Sequence, residues 1–286
     1  MNFIQSIIMG LVQGIAEFLP ISSSGHLAIM KHILHINTDT GLLFDVLLHL
    51  GTLVAIFVVF WRDIWELIVE AVKMLGDCFI NLGRLFGGKK SYKKIVSTPY
   101  RRFVIMIIVS TIPTAIIGFL FKDAFEAAGD TLLVPGLCLI LTGILLSIAD
   151  RVKTGSKTEK NASYKNAGFV GLAQGIAILP GLSRSGTTIT ACLLSGFDRS
   201  YAVKYSFILS IPAVLGANVL ELKDFSIEAF SKSELINYVA GMIVAGVVGY
   251  ICIKTMLVIV KGKKFKYFAW YCFAVGALAV IGNFVL

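Results

Sequence analysis

Apolar residues run in long blocks along this chain, separated by short polar and charged loops. Six blocks, roughly 42–61, 103–121, 132–149, 201–220, 236–260 and 268–286, approach the ~20 residues that a membrane-spanning helix needs. Two further apolar stretches, about 1–36 and 168–197, are interrupted at their midpoints by LPISSSGH (19–26) and LPGLSRSG (179–186). Pro, Gly and Ser clustered in this way break a helix. Backbone opened at membrane depth is tolerated only when buried in protein or lining a wet cavity. Both stretches are therefore expected to form re-entrant helical hairpins.

The charged loops give sidedness. Lys89, Lys90, Lys93, Lys94, Arg101 and Arg102 separate the first two spans, with no acid among them. The segment 150–167 carries Arg151, Lys153, Lys157, Lys160 and Lys165 against Asp150 and Glu159, and 261–266 carries Lys261, Lys263, Lys264 and Lys266. Lys/Arg-rich loops stay in the cytoplasm. The loops 122–131 (Lys122, Asp123, Glu126, Asp130) and 221–235 (Glu221, Asp224, Glu228, Glu234) are then outside. The alternation closes only if each broken stretch returns to its own side, the first entering from outside and the second from the cytoplasm. Residues 64–86 hold Glu66, Glu70, Lys73, Asp77 and Arg84 and fit an amphipathic cytoplasmic helix better than a span.

Composition agrees. Of 286 residues, 57% are hydrophobic and 15% charged, and the mean hydropathy is +0.84. An ordinary soluble domain is about 25% charged, so disorder and most soluble enzymes are excluded. The net charge of +9 is explained by cytoplasmic loops and needs no nucleic-acid partner. The five cysteines are scattered, without disulfide or metal spacing. The first Lys is Lys31, and the N-terminal stretch does not resemble a cleavable signal peptide.

The two broken stretches also match each other. GLVQGIAEFLPISSSGH from Gly10 aligns without a gap on GLAQGIAILPGLSRSGT from Gly171, 161 positions later. Gly10, Leu11, Gln13, Gly14, Ile15, Ala16, Ser22, Ser24 and Gly25 all recur, and FDVLLHLGTLVA from Phe44 meets YSFILSIPAVLG from Tyr205 at the same offset. Shared polar residues in register are poorly explained by chance. The expected architecture is all-α and integral to the membrane. Repeat one spans 1–149, with a hairpin at 1–41 and spans 42–61, 103–121 and 132–149. A cytoplasmic linker covers 150–167. Repeat two spans 168–286, with a hairpin at 168–197 and spans 201–220, 236–260 and 268–286. Three spans per repeat, an odd number, make the repeats inverted, so that the hairpin tips meet near the bilayer midplane.

Tip one offers Gln13 and Glu17, four apart and so on one helix face, then Ser22, Ser23, Ser24 and His26. Tip two offers Ser183, Arg184, Ser185, Thr187 and Thr188. An ionised side chain at membrane depth is costly and marks a functional site by default. Arg presents a planar fork to phosphate oxygens, and Ser/Thr hydroxyls with backbone N–H groups at helix starts form an anion cradle. Glu17 can hold a cation or handle a proton, and His26 is a proton shuttle or nucleophile. The plainer readings are that Ser/Gly pairs allow close helix packing, that Glu17 and Arg184 are a structural ion pair, and that His26 is a helix–helix contact. Asp45 and His49, four apart in the first span, are expected to support the site.

QGIAEFLPISSSGH (13–26) resembles the (E/Q)xxxE-containing segment of the undecaprenyl pyrophosphate phosphatases, also called bacitracin-resistance proteins, with Gln13 the Gln variant of its first position. PGLSRSGTT (180–188) resembles their PGxSRSxxT signature, and the likeness covers essentially the whole chain. The resemblance implies hydrolysis of undecaprenyl diphosphate to the monophosphate, recycling the cell-wall lipid carrier and conferring bacitracin resistance. It also implies a divalent cation, Mg²⁺ or Ca²⁺, and a site facing the outer side of a bacterial cell membrane. It carries over Glu17, Ser22, Ser23, His26, Ser183, Arg184 and Thr188 as site residues, with Glu17 on the metal. Water, Ser23 and His26 all stay open as the nucleophile. The other large class of lipid phosphatases needs a His and an Asp where this chain has Thr190 and Leu194.

The same repeat and cradle would also suit a transporter or flippase of a phosphorylated lipid. Glu17 beside His26 favours phosphoryl transfer, which needs an activated nucleophile and a proton carrier. A homodimer is a further expectation.

Overall fold

The computed structural model describes residues 1–34, 36, 41–87, 91–129, 131–221 and 232–285, and among these the chain forms twelve helices. Lys89, Lys90, Asp130, Asp224 and Glu228, invoked above for sidedness, lie outside the described residues. The broken stretches give α1 (Phe3–Phe18) with α2 (Ser23–Ile33), and α8 (Tyr164–Ile176) with α9 (Arg184–Leu194). Each pair is interrupted where the sequence places Pro20 and Pro180. The first expected span is α3 (Gly41–Val59), which turns by 87° at Phe60 into α4 (Trp61–Phe86). The rest are α5 (Pro99–Leu120), α6 (Lys122–Gly129), α7 (Leu133–Arg151), α10 (Arg199–Glu221), α11 (Lys232–Lys261) and α12 (Phe265–Val285).

Five helices, α5, α7, α10, α11 and α12, are each long and apolar enough to cross a membrane, and the bent α3–α4 pair makes a sixth candidate. The chain is an all-α, multi-pass membrane protein. Helix starts follow local chemistry. Asn2 and Gln5 form a capping box on α1, Ser163 and Asn166 form one on α8, and Thr98 caps α5 with Pro99 at its first position. Caps explain why α5 begins ahead of its purely apolar block. The loop expected at 122–131 contains the short α6.

The amphipathic helix expected at 64–86 is present as α4, with Ile64, Leu67, Glu70 and Met74 buried and Glu66 and Lys73 exposed. Trp61, Trp65, Ile68, Val72, Leu75 and Phe79 are exposed. Glu70 and Asp77 face α5, where Arg101 donates from Nε to Glu70 at 2.7 Å and from Nη1 to Asp77 at 2.8 Å.

Packing of the two broken stretches is matched contact for contact. Gly10 of α1 lies against Gly241 of α11, where an added Cβ would stand 2.3 Å from a carbonyl oxygen; Gly171 of α8 lies equally tightly against Ser110 of α5, at 2.2 Å. Gly14 and Gly175, four residues on, contact the same two partner helices at Ala245 and Ile117. α7 and α12 cross at Gly136 and Gly276, each glycine facing the other's carbonyl. Small residues at such crossings bring backbones together where lipid offers no hydrophobic drive.

Candidate functional site

The interruptions after α1 and before α9 meet in the interior. The Ser24 hydroxyl accepts from the Gly181 N–H at 3.2 Å, and Gly25 and Gly186 pack against Gly181 and Pro20 respectively, each the partner of the other across the 161-residue offset. The two turns are built alike. Ser22 Oγ accepts from Gly25 N at 3.3 Å and Ser183 Oγ from Gly186 N at 3.1 Å. Ser22 and Ser24 hydroxyls lie 3.3 Å apart, and those of Ser183 and Ser185 3.4 Å. Two helix N-termini, of α2 and α9, thus start in one place, and helix starts attract anions.

Glu17, 7% exposed, sits at this junction. Ser23 Oγ donates to its Oε2 at 2.6 Å and Gln13 Nε2 at 3.1 Å, while Arg184 pairs with Oε1 from the opposite tip. Arg184 keeps its outer part open, with 23% of the side chain exposed. Gln13 is fully buried, and its Oε1 has no partner among the described residues; Gln174, its counterpart in the second stretch, has the same orphaned oxygen.

His26 is held from both sides. Its Nδ1 lies 2.8 Å from the Ser22 carbonyl and its Nε2 2.7 Å from the Tyr271 hydroxyl. A carbonyl can only accept, so Nδ1 carries the proton in the neutral ring and Nε2 presents a lone pair. Ser22 adopts φ +71°, the left-handed region that non-glycine residues seldom visit. That conformation aims its carbonyl at both the ring and the backbone N–H of His26.

Of the residues named from sequence, Glu17, Ser23, Arg184 and Gln13 form one hydrogen-bonded cluster. Ser22, Ser24, Ser183 and Ser185 frame it, and His26 stands beside the first turn. Thr188 is fully buried, and its hydroxyl is bonded to the Arg184 carbonyl at 2.8 Å and to Ser206 at 2.5 Å. The neighbouring Thr187 hydroxyl has no partner among the described residues.

The family model described as bacitracin resistance protein BacA matches residues 6–278. The chain belongs to the BacA family. Similar members carry the name undecaprenyl-diphosphatase. The one from Methanosphaera stadtmanae is 43% identical over all of both chains, that from Alkaliphilus metalliredigens 40% over 98% of each, and that from Treponema denticola 41% over 96% of each.

Two further residues of this BacA chain reach the site: His49, expected from sequence as a support, and Tyr271, which was not. His49 brings Nε2 to 4.0 Å from Glu17 Oε2; its signal was an imidazole four residues from Asp45 inside a span. Asp45 itself pairs with Lys31, fastening α3 to α2. Tyr271 reaches His26 from α12, the last helix, and nothing in an apolar aromatic-rich segment distinguished it.

Proposed function

We infer that this chain hydrolyses undecaprenyl diphosphate to undecaprenyl phosphate and inorganic phosphate, returning the lipid carrier to the cell-wall cycle and so conferring bacitracin resistance. The observation that carries the reading is Glu17, bonded to a serine hydroxyl on one side and to Arg184 on the other, at the junction of two helix N-termini. A carboxylate within an anion cradle is ill suited to simple anion passage and well suited to taking a proton from an attacking oxygen.

In this mechanism Arg184 exchanges part of its contact with Glu17 for the phosphate oxygens, as its planar fork allows. The serine hydroxyls and helix-start N–H groups of both turns hold the remaining oxygens. An oxygen nucleophile, Ser23's own or a water bound beside it, attacks the terminal phosphorus and gives its proton to Glu17. The phosphoanhydride bond breaks, and undecaprenyl phosphate leaves with the bridging oxygen; where Ser23 is the nucleophile, a water that gives its proton to Glu17 then cleaves the phosphoserine and releases inorganic phosphate. His26, whose Nε2 lone pair is released when the Tyr271 hydroxyl turns aside, accepts a proton or, as nucleophile, forms a phosphohistidine that water then hydrolyses to inorganic phosphate.

Glu17, the Ser23 hydroxyl and the orphaned Gln13 amide oxygen are hard oxygen donors, the kind that Mg²⁺ and Ca²⁺ take. Among the described residues no group of three His, Cys, Asp or Glu side chains could hold an ion; Glu17, Ser23 and Gln13 would be the residues to hold one, and it would supply charge neutralisation for the phosphoryl oxygens.

We place the site on the outer side of the cell membrane, within an inverted repeat of 1–149 and 168–286 whose α1–α2 and α8–α9 pairs are re-entrant hairpins. Support comes from the matched contacts of α1 on α11 and α8 on α5, and from the basic loops. A Lys94→Cys variant should react with an impermeant maleimide only after lysis; rapid labelling of intact cells would reverse the orientation. The homodimer expectation is tested by light scattering of the purified protein in detergent. For the activity itself, phosphate release from undecaprenyl diphosphate by purified protein, abolished in Glu17→Ala, is the deciding assay.

A further inference from the structure

α3 stands upright beside the spanning helix α11. A Cβ at Gly241 would meet the Phe44 ring at 2.8 Å and one at Gly249 would meet Ala55 at 3.4 Å, so the two helices advance together along one direction. The 19 residues of α3 rise about 28 Å, close to the ~30 Å of a bilayer's hydrocarbon. The 87° turn at Phe60 therefore lays α4 along the membrane plane. Extending the Ala55–Gly249 contact to Phe60 sets the turn level with about Lys254, toward the basic 261–266 end of α11. There Lys254 lies over the Tyr250 ring at 5.7 Å and Arg62 over the Trp61 ring at 5.3 Å. Aromatic and basic residues at one level mark a bilayer's interface.

α4 has three faces. The first, with Ile64, Leu67, Glu70 and Met74, is buried against the protein, where Asp63 pairs with Lys204 and Glu70 with Arg101. The second is apolar and open. From Trp61 to Phe86 apolar side chains recur at alternating steps of four and three residues, and each of the eight is at least 49% exposed. The stripe is about 38 Å long. At its start Trp61, Trp65 and Ile68 share one hollow with Phe57 and Val58 of α3, so stripe and spanning helix turn toward the same side. The third face carries Arg62, Glu66, Lys73 and Arg84, three bases to one acid, with the bases spaced 11 residues, about three turns, apart in one row. Lys73 reaches Glu70 yet leaves 54% of its side chain exposed, and Arg84 donates to the uncharged Ser91 carbonyl.

We propose that α4 is an in-plane docking helix for anionic phospholipid. Its apolar stripe sinks among the acyl chains of the leaflet at the 261–266 end, and Arg62, Lys73 and Arg84 hold the head-group phosphates along its edge. Any lipid-facing helix touches acyl chains; the row of bases is what adds a choice of head group. A zwitterionic lipid or an apolar helix of a second copy leaves that row without compensating charge, whereas phosphatidylglycerol brings one net negative charge per head. Each base near an anionic surface strengthens binding about fivefold. The proposal stands apart from the diphosphatase reading.

Two measurements on the full-length protein in nanodiscs of phosphatidylglycerol and phosphatidylcholine test it. For depth, Cys78→Ser removes the exposed thiol, and a nitroxide is placed singly at Trp65→Cys, Val72→Cys, Phe79→Cys or Phe86→Cys. Dissolved oxygen should relax all four more than a water-soluble nickel chelate does, at one common depth, while a label at Glu66→Cys should favour the chelate. Depth that grows steadily from Trp65 to Phe86, chelate access at Val72 and Phe79, or spin–spin broadening between copies would overturn the in-plane helix. For head-group choice, Trp270→Phe leaves Trp61 and Trp65 as the only tryptophans. Brominated phosphatidylglycerol titrated into phosphatidylcholine should quench them at lower mole fraction than brominated phosphatidylcholine does. Arg62→Gln should raise the half-quenching mole fraction of the anionic lipid about fivefold, with the depth at Val72 unchanged. Equal quenching by the two lipids, or an unmoved midpoint in Arg62→Gln, would overturn anionic-lipid docking.

Discussion

His26 Nε2 and the hydroxyl of Tyr271 lie 2.7 Å apart, from helices at opposite ends of the chain. Their rings are nearly parallel, 11° between planes. The phenol donates to the nitrogen that the Ser22 carbonyl, by occupying Nδ1–H, leaves unprotonated. Tyr271 therefore fixes the plane of the imidazole and holds the Nε2 lone pair until its hydroxyl moves aside. Tyr271→Phe keeps the ring and removes the hydroxyl. Loss of one hydrogen bond of roughly 0.5–1.5 kcal/mol corresponds to about a two- to tenfold fall in kcat, with KM little changed. The nitrogen-15 resonances of His26, assigned against His26→Ala, should move toward a mixture of tautomers. Unaltered kcat and resonances would leave Tyr271 a packing residue only.

Arg184→Lys keeps the charge and discards the fork. Arg184 reaches Glu17 across the junction and still exposes part of its guanidinium, so it is placed to serve both carboxylate and phosphate. Removing one preorganised donor costs ~2.7–4 kcal/mol of transition-state stabilisation, a 10²–10³-fold loss of kcat. The variant should insert and melt nearly as wild type. Near-normal turnover would reduce Arg184 to a counter-ion.

The spans and the two interruptions were legible because the physics is local: apolar block length, Pro20 and Pro180, and Lys/Arg in the loops. Glu17, Ser23 and Arg184 were legible because charge and clustered hydroxyls inside apolar sequence have few innocent explanations. The 87° turn at Phe60 was not, since no Pro or Gly marks it. His49 was legible as a support for the site, an imidazole inside an apolar span, whereas Tyr271 was hidden because its role arises from a tertiary contact of a residue that also suits a lipid-facing or packed helix. Thr188 shows the limit of a motif: its place in the signature is clear, yet Ser206 takes its hydroxyl while Thr187 beside it has no partner among the described residues.

Acid should loosen α4 from α5. Lys73 and Arg101 donate to Glu70 and hold its carboxyl below the ordinary value of 4.5. A carboxyl so lowered stabilises the fold fully above its unfolded pKa, and that contribution fades as pH falls through the folded value. Tm of the wild type should therefore drop between about pH 5 and pH 3 more steeply than that of Glu70→Gln, which has no such proton to take up. Part of the drop should survive in the variant because Asp77 shares Arg101. Parallel Tm curves for the two proteins would show that the pair contributes nothing to stability.

Glu17 and His26 should separate in a divalent-ion series. Glu17 ends α1 just before Pro20, with Ser23 on one oxygen and Arg184 on the other, so its carboxylate is both a proton acceptor and a hard ligand. Glu17→Gln keeps the shape but loses the charge. It should lower turnover and raise the Mg²⁺ or Ca²⁺ concentration needed for half-maximal rate, because a weaker ligand is offset by mass action. His26 follows the turn, with its lone pair at Nε2 facing the Tyr271 hydroxyl and its other nitrogen committed to Ser22. That arrangement serves proton transfer or attack on phosphorus, which added metal cannot replace. His26→Ala should therefore lose turnover at every ion concentration while leaving the half-maximal concentration unchanged. The measurement is initial rate of phosphate release for both variants across the series, with chelator as the zero point. Rescue of His26→Ala by high metal would make the histidine a ligand. An active Glu17→Gln with an unchanged metal requirement would remove the ion from the carboxylate and leave Glu17 as a base alone.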